Sequence, residues 1–259
     1  SHMTTLGFTR PSKRIKESVK QAEEMGFKAM GAPSMDIVPG DDSEFSRMDD
    51  SLEPGCYVVF CSVTAVEECK TRFGDRLGEM MEGKKVVSIG PSTTAKLESA
   101  GVKAVAVPGE YSSEGIVELL KNEVSGKRVI LVRSDSGSDV LDEGLSAAGA
   151  EVVDIAAYKL KDAGMSIALL HLFTMLKQGR LDVMAFTSPK SASIFVTQII
   201  AHFGKERGEE YLHKAKIAAI GGPTSKRLTE LGFPPDIVPE NATFPDMLKA
   251  VKDYFAEKE

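Results

Sequence analysis

Small polar residues and arginines stand at the ends of apolar runs, and they do so in duplicate. Ser62 and Ser188 each follow a phenylalanine by two residues, and Gly90 and Gly221 each follow an isoleucine. Thr93 and Thr224 lie three residues past those glycines, and Arg10 and Arg133 follow Thr9 and Val132. A Ser, Thr or Gly at the start of a helix sits beside free N–H groups and a partial positive charge, which together hold carboxylates or phosphates. Helix capping is the competing use of the same hydroxyls. The arginines suit carboxylates by the shape of their guanidinium fork, with a structural role at the strand end as the other reading. Tyr158 closes an apolar run instead, where a phenol serves as hydrogen-bond donor or general acid if water is scarce; half-buried packing is its alternative.

No nucleophile–base pair accompanies them. His171, His202 and His213 fall in helical or pre-strand stretches, as structural or surface histidines. Cys61 occupies the place of Thr187 in the other half and reads as a small packing residue. Asp135 and Asp139 read as solvated acids at a helix start. The three cysteines, Cys56, Cys61 and Cys69, are odd in number and lack metal-ligand spacing, so neither disulfides nor zinc are expected. The glycine turns lack G-x-G-x-x-G and G-x-x-x-x-G-K-[ST] spacing, and Pro91 and Pro223 each remove an N–H. A Rossmann dehydrogenase is not expected.

The elements that position these residues alternate. Strands are predicted at Leu6–Thr9, Tyr57–Phe60, Val86–Ile89, Val105–Val107, Val129–Val132, Val152–Ile155, Val183–Phe186, Ile217–Ile220 and Ile237–Val238, with amphipathic helices between them. Continuous apolar strands alternating with helices predict an α/β fold with parallel sheets covered on both faces. Ligands of such sheets bind beyond the carboxyl ends of the strands, where the duplicated residues lie. The duplication holds a fixed offset of 131 residues from Ile89 and Ile220 to Pro108 and Pro239. Earlier segments repeat at 123 (Arg10 and Arg133, Gly26 and Gly149) and 126 (Ser62 and Ser188). By itself this suggests two consecutive similar halves. Pro39 to Gly55, polar and acidic, is the predicted linker or exposed loop, and Lys159 to Gly164 a second break.

At 259 residues, 42% of them apolar, the chain has material for one large or two smaller domains. A net charge of −6 disfavours nucleic acid and anionic membranes as partners, and no apolar run reaches the roughly 18 residues of a membrane span. Ser1-His2-Met3 reads as a cleavage scar, and the cysteine usage suits a reducing cytoplasm.

The ordered set Val132-Arg133-Ser134, Gly149-Ala150-Glu151-Val152, Ala157-Tyr158, Phe186-Thr187-Ser188-Pro189 and Ile220-Gly221…Thr224…Leu228…Gly232, with Thr9-Arg10-Pro11 at the start, resembles uroporphyrinogen-III synthase. The likeness runs over nearly the whole chain. It implies two flavodoxin-like parallel-sheet domains joined by a two-stranded linker, with the substrate cleft between them. One domain would comprise residues 1–36 and 159–259, the other 37–158. The implied activity is that of a cofactor-free lyase acting on hydroxymethylbilane, a linear tetrapyrrole with eight carboxylates. Loss of its terminal hydroxyl gives an azafulvene; attack through a spiro intermediate closes the ring with ring D inverted, yielding uroporphyrinogen III for haem biosynthesis.

By position Tyr158 matches the family tyrosine that assists departure of the hydroxyl. Thr93 and Thr224 match threonines facing the cleft, and Ser62 and Ser188 match the serines of the F-[TS]-S turns, with Gly90 and Gly221 at the paired glycine turns. Cys61 and Val63 depart from the family's usual Thr and Pro, leaving backbone N–H groups to bind there. The resemblance also implies a cytoplasmic monomer that takes its substrate in transient handover from the preceding enzyme. A two-lobe cytosolic binding or sensor protein for an anionic small molecule is the main alternative, and a transferase holding a nucleotide between lobes a third.

Overall fold

The computed structural model describes residues 3–104 and 106–258. Ser1, His2 and the first residue of the strand predicted at Val105–Val107 lie outside them. The chain forms two compact units. The first comprises residues up to Ile37 together with those from Lys161 onward, and the second runs from Val38 to Leu160.

The first unit begins with β1 (Thr5–Arg10), α1 (Ile15–Glu24) and β2 (Lys28–Pro33), and the chain leaves it in β3 (Met35–Pro39). The second unit follows with α2 (Asp42–Ser51), β4 (Tyr57–Phe60), α3 (Val63–Phe73), α4 (Arg76–Met81), β5 (Lys85–Ser88) and α5 (Pro91–Ser99). It continues through α6 (Ser113–Leu120), β6 (Arg128–Ser134) and α7 (Asp139–Ala147) into β7 (Glu151–Asp162), which carries the chain back. The first unit is then completed by α8 (Ile167–Lys177), β8 (Val183–Phe186), α9 (Pro189–Phe203), α10 (Lys205–Leu212), β9 (Lys216–Ala219), α11 (Gly222–Glu230) and α12 (Phe244–Ala256).

One sheet has the order β2-β1-β8-β9 and the other β3-β7-β6-β4-β5. Isolated parallel bridges add Ile237 beside β9 and Ala106 beside β5. The repeat thus has a spatial meaning. Each sheet reads β2 or β7, then β1 or β6, then β8 or β4, then β9 or β5, then Ile237 or Ala106. What differs is chain order: the first unit makes its β1–β2 half first, whereas the second makes its β6–β7 half last.

Both faces of the first sheet are covered, as continuous apolar strands require. Leu6 and Phe8 pack with Phe244, Met247 and Val251 on one face. Met184, Phe186 and Ile217 meet Leu172, Phe173 and Phe195 on the other. In the second unit Val59, Val129 and Leu131 lie against Ile116, Leu120, Leu141 and Leu145 of α6 and α7. Each such side chain contributes about 1.5–3 kcal/mol on full burial.

Three sequence expectations need correction. Pro39 to Gly55 is no loop: α2 occupies most of it, burying Phe45 against Phe73 at 5.8 Å and Met48 against Cys69. Two apolar residues three apart suffice to seat a short helix whose remaining surface is charged. Second, β7 does not stop at the predicted break, because its polar backbone groups stay paired. Asp135 N–H donates to the Tyr158 carbonyl at 3.0 Å and Leu160 N–H to the Asp135 carboxylate at 3.2 Å. Third, β2 and β3 were not anticipated, since Gly31, Pro33 and Pro39 break the strand pattern; β2 is an edge strand, where such residues are tolerated.

Candidate functional site

In the second unit the carboxyl ends of β4, β5, β6 and β7 bring together Ser62, Gly90, Thr93, Arg133 and Tyr158. Ser62 caps α3, its Oγ accepting the Ala65 N–H at 3.0 Å. Gly90 precedes α5 in extended backbone with Pro91 as the first helical residue. Its carbonyl accepts from the Ser88 and Thr94 hydroxyls at 2.8 and 3.0 Å, which holds the turn rigid. Thr93 is 3% exposed, and its hydroxyl has no protein partner among the described residues.

Tyr158 reaches this edge through an irregularity in the ladder. Arg133 pairs with Ala156, yet Ser134 pairs with Tyr158, so Ala157 is an extra residue. Such a bulge re-aims the side chain that follows it. The Tyr158 hydroxyl lies 2.9 Å from Ser62 Oγ, although β6 separates their strands in the sheet and 96 residues separate them in the chain. The ring is largely buried, at 8% exposure. The phenol therefore bonds to a hydroxyl already polarised by the start of a helix.

The first unit presents the counterparts. Ser188 caps α9 by accepting from the Ser191 N–H at 3.0 Å and donates to Ser191 Oγ at 2.9 Å. Gly221 precedes α11, and Thr224, 2% exposed, has no protein partner for its hydroxyl among the described residues. At the repeat offset of 123 Tyr158 falls on Met35, and with Ala157 discounted as the extra residue it falls on Ser34; both are buried and neither is a phenol. Only the second unit carries a phenol at that register.

The two arginines, alike in sequence, differ in state. Arg133 is clamped: Nε and Nη2 donate to the Asp154 carboxylate at 3.0 and 2.7 Å, Nη1 donates to the Ser138 carbonyl at 2.9 Å, and Asp142 lies 3.6 Å away. Burial lowers its pKa, but the Asp154 bonds outweigh that, and the net direction is up. Arg10 donates to Ser18 Oγ at 2.9 Å and lies over the Phe244 ring at 4.7 Å, while its buried Nε finds no acceptor. No carboxylate among the described residues lies within ion-pair distance of it. Burial first, then Arg14, push its pKa down to about 10, with Glu17 opposing. The repeat explains the contrast: Asp154 and Asp142 correspond to Gly31 and Val19. Arg133 has its charge paired with a carboxylate and Arg10, held by Ser18 and Phe244, has not.

Cys61 keeps some surface as a residue, but burial of its thiol pushes the pKa up to about 12. It stays protonated and packs, as its match with Thr187 suggests. Among the described residues no group of His, Cys, Asp or Glu is arranged to hold a metal ion, and no helix is long and apolar enough to cross a membrane. Asp154, which decides the state of Arg133, escaped the sequence reading. Its one signal is an acid inside the apolar run Val152-Val153-Asp154-Ile155.

Fold and strand ends together define a two-unit parallel α/β protein with matching Ser- and Gly-led helix starts in each unit and one phenol at the strand ends of the second. Comparison with known proteins narrows this. The chain belongs to the uroporphyrinogen-III synthase family, whose profile, described as Uroporphyrinogen-III synthase HemD, matches residues 16–249. A Methanothermobacter thermautotrophicus protein provisionally assigned to this activity is 30% identical over 252 residues, spanning 95% of this chain and 96% of its own. The Chlorobaculum parvum uroporphyrinogen-III synthase is 24% identical over 97% of this chain and 99% of its own. The fold is shared with a Thermus thermophilus uroporphyrinogen III synthase (TM-score 0.66, 20% identity, 99% and 100% of the two chains). It is also shared with the Helicobacter pylori enzyme (TM-score 0.60, 16% identity, 97% and 100%). Membership makes the chain a cofactor-independent cyclising lyase of tetrapyrrole biosynthesis that acts on hydroxymethylbilane.

Proposed function

We propose that in this cyclisation Tyr158 is the general acid, Ser62 its hydrogen-bond partner, and the strand-end turns with Arg10 the carboxylate binders. The observation that carries the reading is the 2.9 Å Tyr158–Ser62 bond at the start of α3. Tyr158 gives its proton to the terminal hydroxyl, the C–O bond breaks, and the electron pair leaves with oxygen as water. The pyrrole nitrogen lone pair feeds the emptied carbon, forming the azafulvene system. Ser62 Oγ–H turns toward the phenolate that remains while its own oxygen keeps the Ala65 N–H, so the partial positive charge of α3 reaches the phenolate through one hydroxyl. The substituted α-carbon of ring D then attacks the emptied carbon to give the spiro intermediate, and the bond from this α-carbon to the ring C methylene breaks. The methylene rejoins ring D at its free α-carbon, whose proton is released and restores the neutral phenol. Each step needs position rather than a protein nucleophile.

Thr93, Thr224, Ser188, Gly90 and Gly221 supply hydroxyls and N–H groups for acetate and propionate side chains. Arg10 adds a full charge, whereas Arg133 shapes the second unit from inside. Incubation with hydroxymethylbilane followed by chromatographic separation of the isomers tests the activity. Type III product above the spontaneous background is expected; type I alone would overturn it.

Arg10 gives a separate expectation. An uncompensated buried cation destabilises the folded state, and a ligand carboxylate relieves it. Arg10→Met should raise KM about tenfold or more, the loss expected for a hydrogen bond to a charged group, while kcat holds and the melting temperature stays the same or rises as the unpaired charge is removed. Because the folded pKa of about 10 lies below the ordinary guanidinium value, the folded chain binds the proton less tightly than the unfolded one. The cost is present in full below pH 10 and fades as pH rises from there toward the ordinary guanidinium value. A bound carboxylate reverses that preference, so substrate affinity should fall as pH rises through about 10 in the wild type but not in the variant. A pH-independent wild-type KM across that range would exclude the role.

A further inference from the structure

The two glycine turns are copies in backbone but not in what backs them. Ser112 caps α6, accepting the Gly115 N–H at 3.0 Å, and its own N–H donates to the Glu110 carbonyl at 2.9 Å. Thr243, 131 residues later, caps α12 by accepting from Asp246 at 3.1 Å, with its N–H on the Asn241 carbonyl at 2.9 Å. The residue held between these points packs against the glycine turn of its own unit. In the second unit it is Tyr111: a Cβ placed on Gly90 would lie 3.4 Å from Tyr111 Cγ. In the first it is Ala242, whose Cβ would lie 2.9 Å from one placed on Gly221. An aromatic ring stands on one side of the repeat where the other has a methyl group.

The ring is held from both ends. Gly115 cannot carry a Cβ because the Glu110 carbonyl oxygen would lie 1.9 Å from it, so the backbone before Tyr111 is tight on α6 and the backbone after it is the cap. The ring lies at the edge that carries Thr93, is part-exposed, and makes no ring pairing or hydrogen bond among the described residues. Resting on the reaction assigned above, we propose that Tyr111 is a substrate-contacting specificity residue. Its ring takes the flat face of a pyrrole whose acetate or propionate is bound at the Gly90–Thr93 turn. The substrate is alternately flat and anionic, and this is where the second unit sets an aromatic face beside an anion-accepting turn. Because Ala242 offers no such face, the repeat is unequal at this point.

Steady-state kinetics on hydroxymethylbilane with Tyr111→Phe and Tyr111→Ala tests this. The Phe variant keeps the ring and should match wild type. The Ala variant copies the first unit and should raise KM roughly three- to tenfold, the range of aromatic contacts, with kcat within about twofold and an unchanged melting temperature. An unchanged KM in the Ala variant overturns the proposal, as does a loss of kcat and melting temperature together, which would make Tyr111 a packing residue. A Phe variant as impaired as the Ala variant also overturns it. If wild type itself forms no type III isomer, the fault lies with the reaction assignment and not with Tyr111.

Discussion

Tyr158→Phe is expected to lower kcat about 100-fold or more, the usual contribution of a positioned general acid, with KM nearly unchanged. The substitution removes one oxygen from a ring held by packing at 8% exposure, so the fold and the shape of the site persist. What is lost is the proton that turns departing hydroxide into water and, with it, the bond to Ser62. A folded variant with wild-type kcat would sink the assignment. Ser62→Ala should show a smaller loss of kcat, because the phenol remains while the phenolate it leaves is less stabilised. It should also lose about 1 kcal/mol of stability through the missing cap on α3. The pair of variants separates the acid from its support, since Tyr158→Phe leaves that cap in place.

The second large effect is on stability. Asp154→Ala should destabilise the second unit by about 2–4 kcal/mol, below the full range for a broken buried pair because the Asp154 side chain is itself half exposed. The Arg133 side chain keeps only 7% exposure, and without Asp154 its charge would keep only Asp142 at 3.6 Å and the Ser138 carbonyl. A melting temperature lower by roughly 5–10 °C is the expected reading. The double change Arg133→Met with Asp154→Ala should recover part of it, because the stranded charge goes too. If the single variant melts like wild type, the clamp contributes nothing and Arg133 returns as a candidate substrate binder.

The fold class was legible because β4 and β8 are short unbroken runs of Tyr, Val, Met, Ala and Phe between turn residues, and their bounds fall where the pattern places them. Helix α2 was not, because Phe45 and Met48 are too few to show a period among acids. The serine and threonine positions could be picked out from their place beyond apolar runs. Their states could not. Arg10 and Arg133 stand at matching repeat positions, yet only Arg133 has a carboxylate partner, a difference that rests on Asp154 against Gly31 in a neighbouring strand. The meeting of Tyr158 with Ser62 depends on the extra residue at Ala157, and a strand read two residues at a time has no sign of it.

The permuted order of two otherwise matching sheets has a consequence in time. The second unit is made from one uninterrupted stretch, so all its partners are present once Leu160 has left the ribosome. The first unit must wait: Leu6 pairs with Val183, and β1 has no neighbour on that side until β8 has been synthesised. Bringing distant ends together carries an entropic cost that grows with the length of free chain between them. A stretch already condensed between β3 and β7 shortens that free length. The inserted half of this protein therefore lowers the closure cost of the half that surrounds it, and β1, which has β2 beside it early, completes its pairing only after β8 has been made.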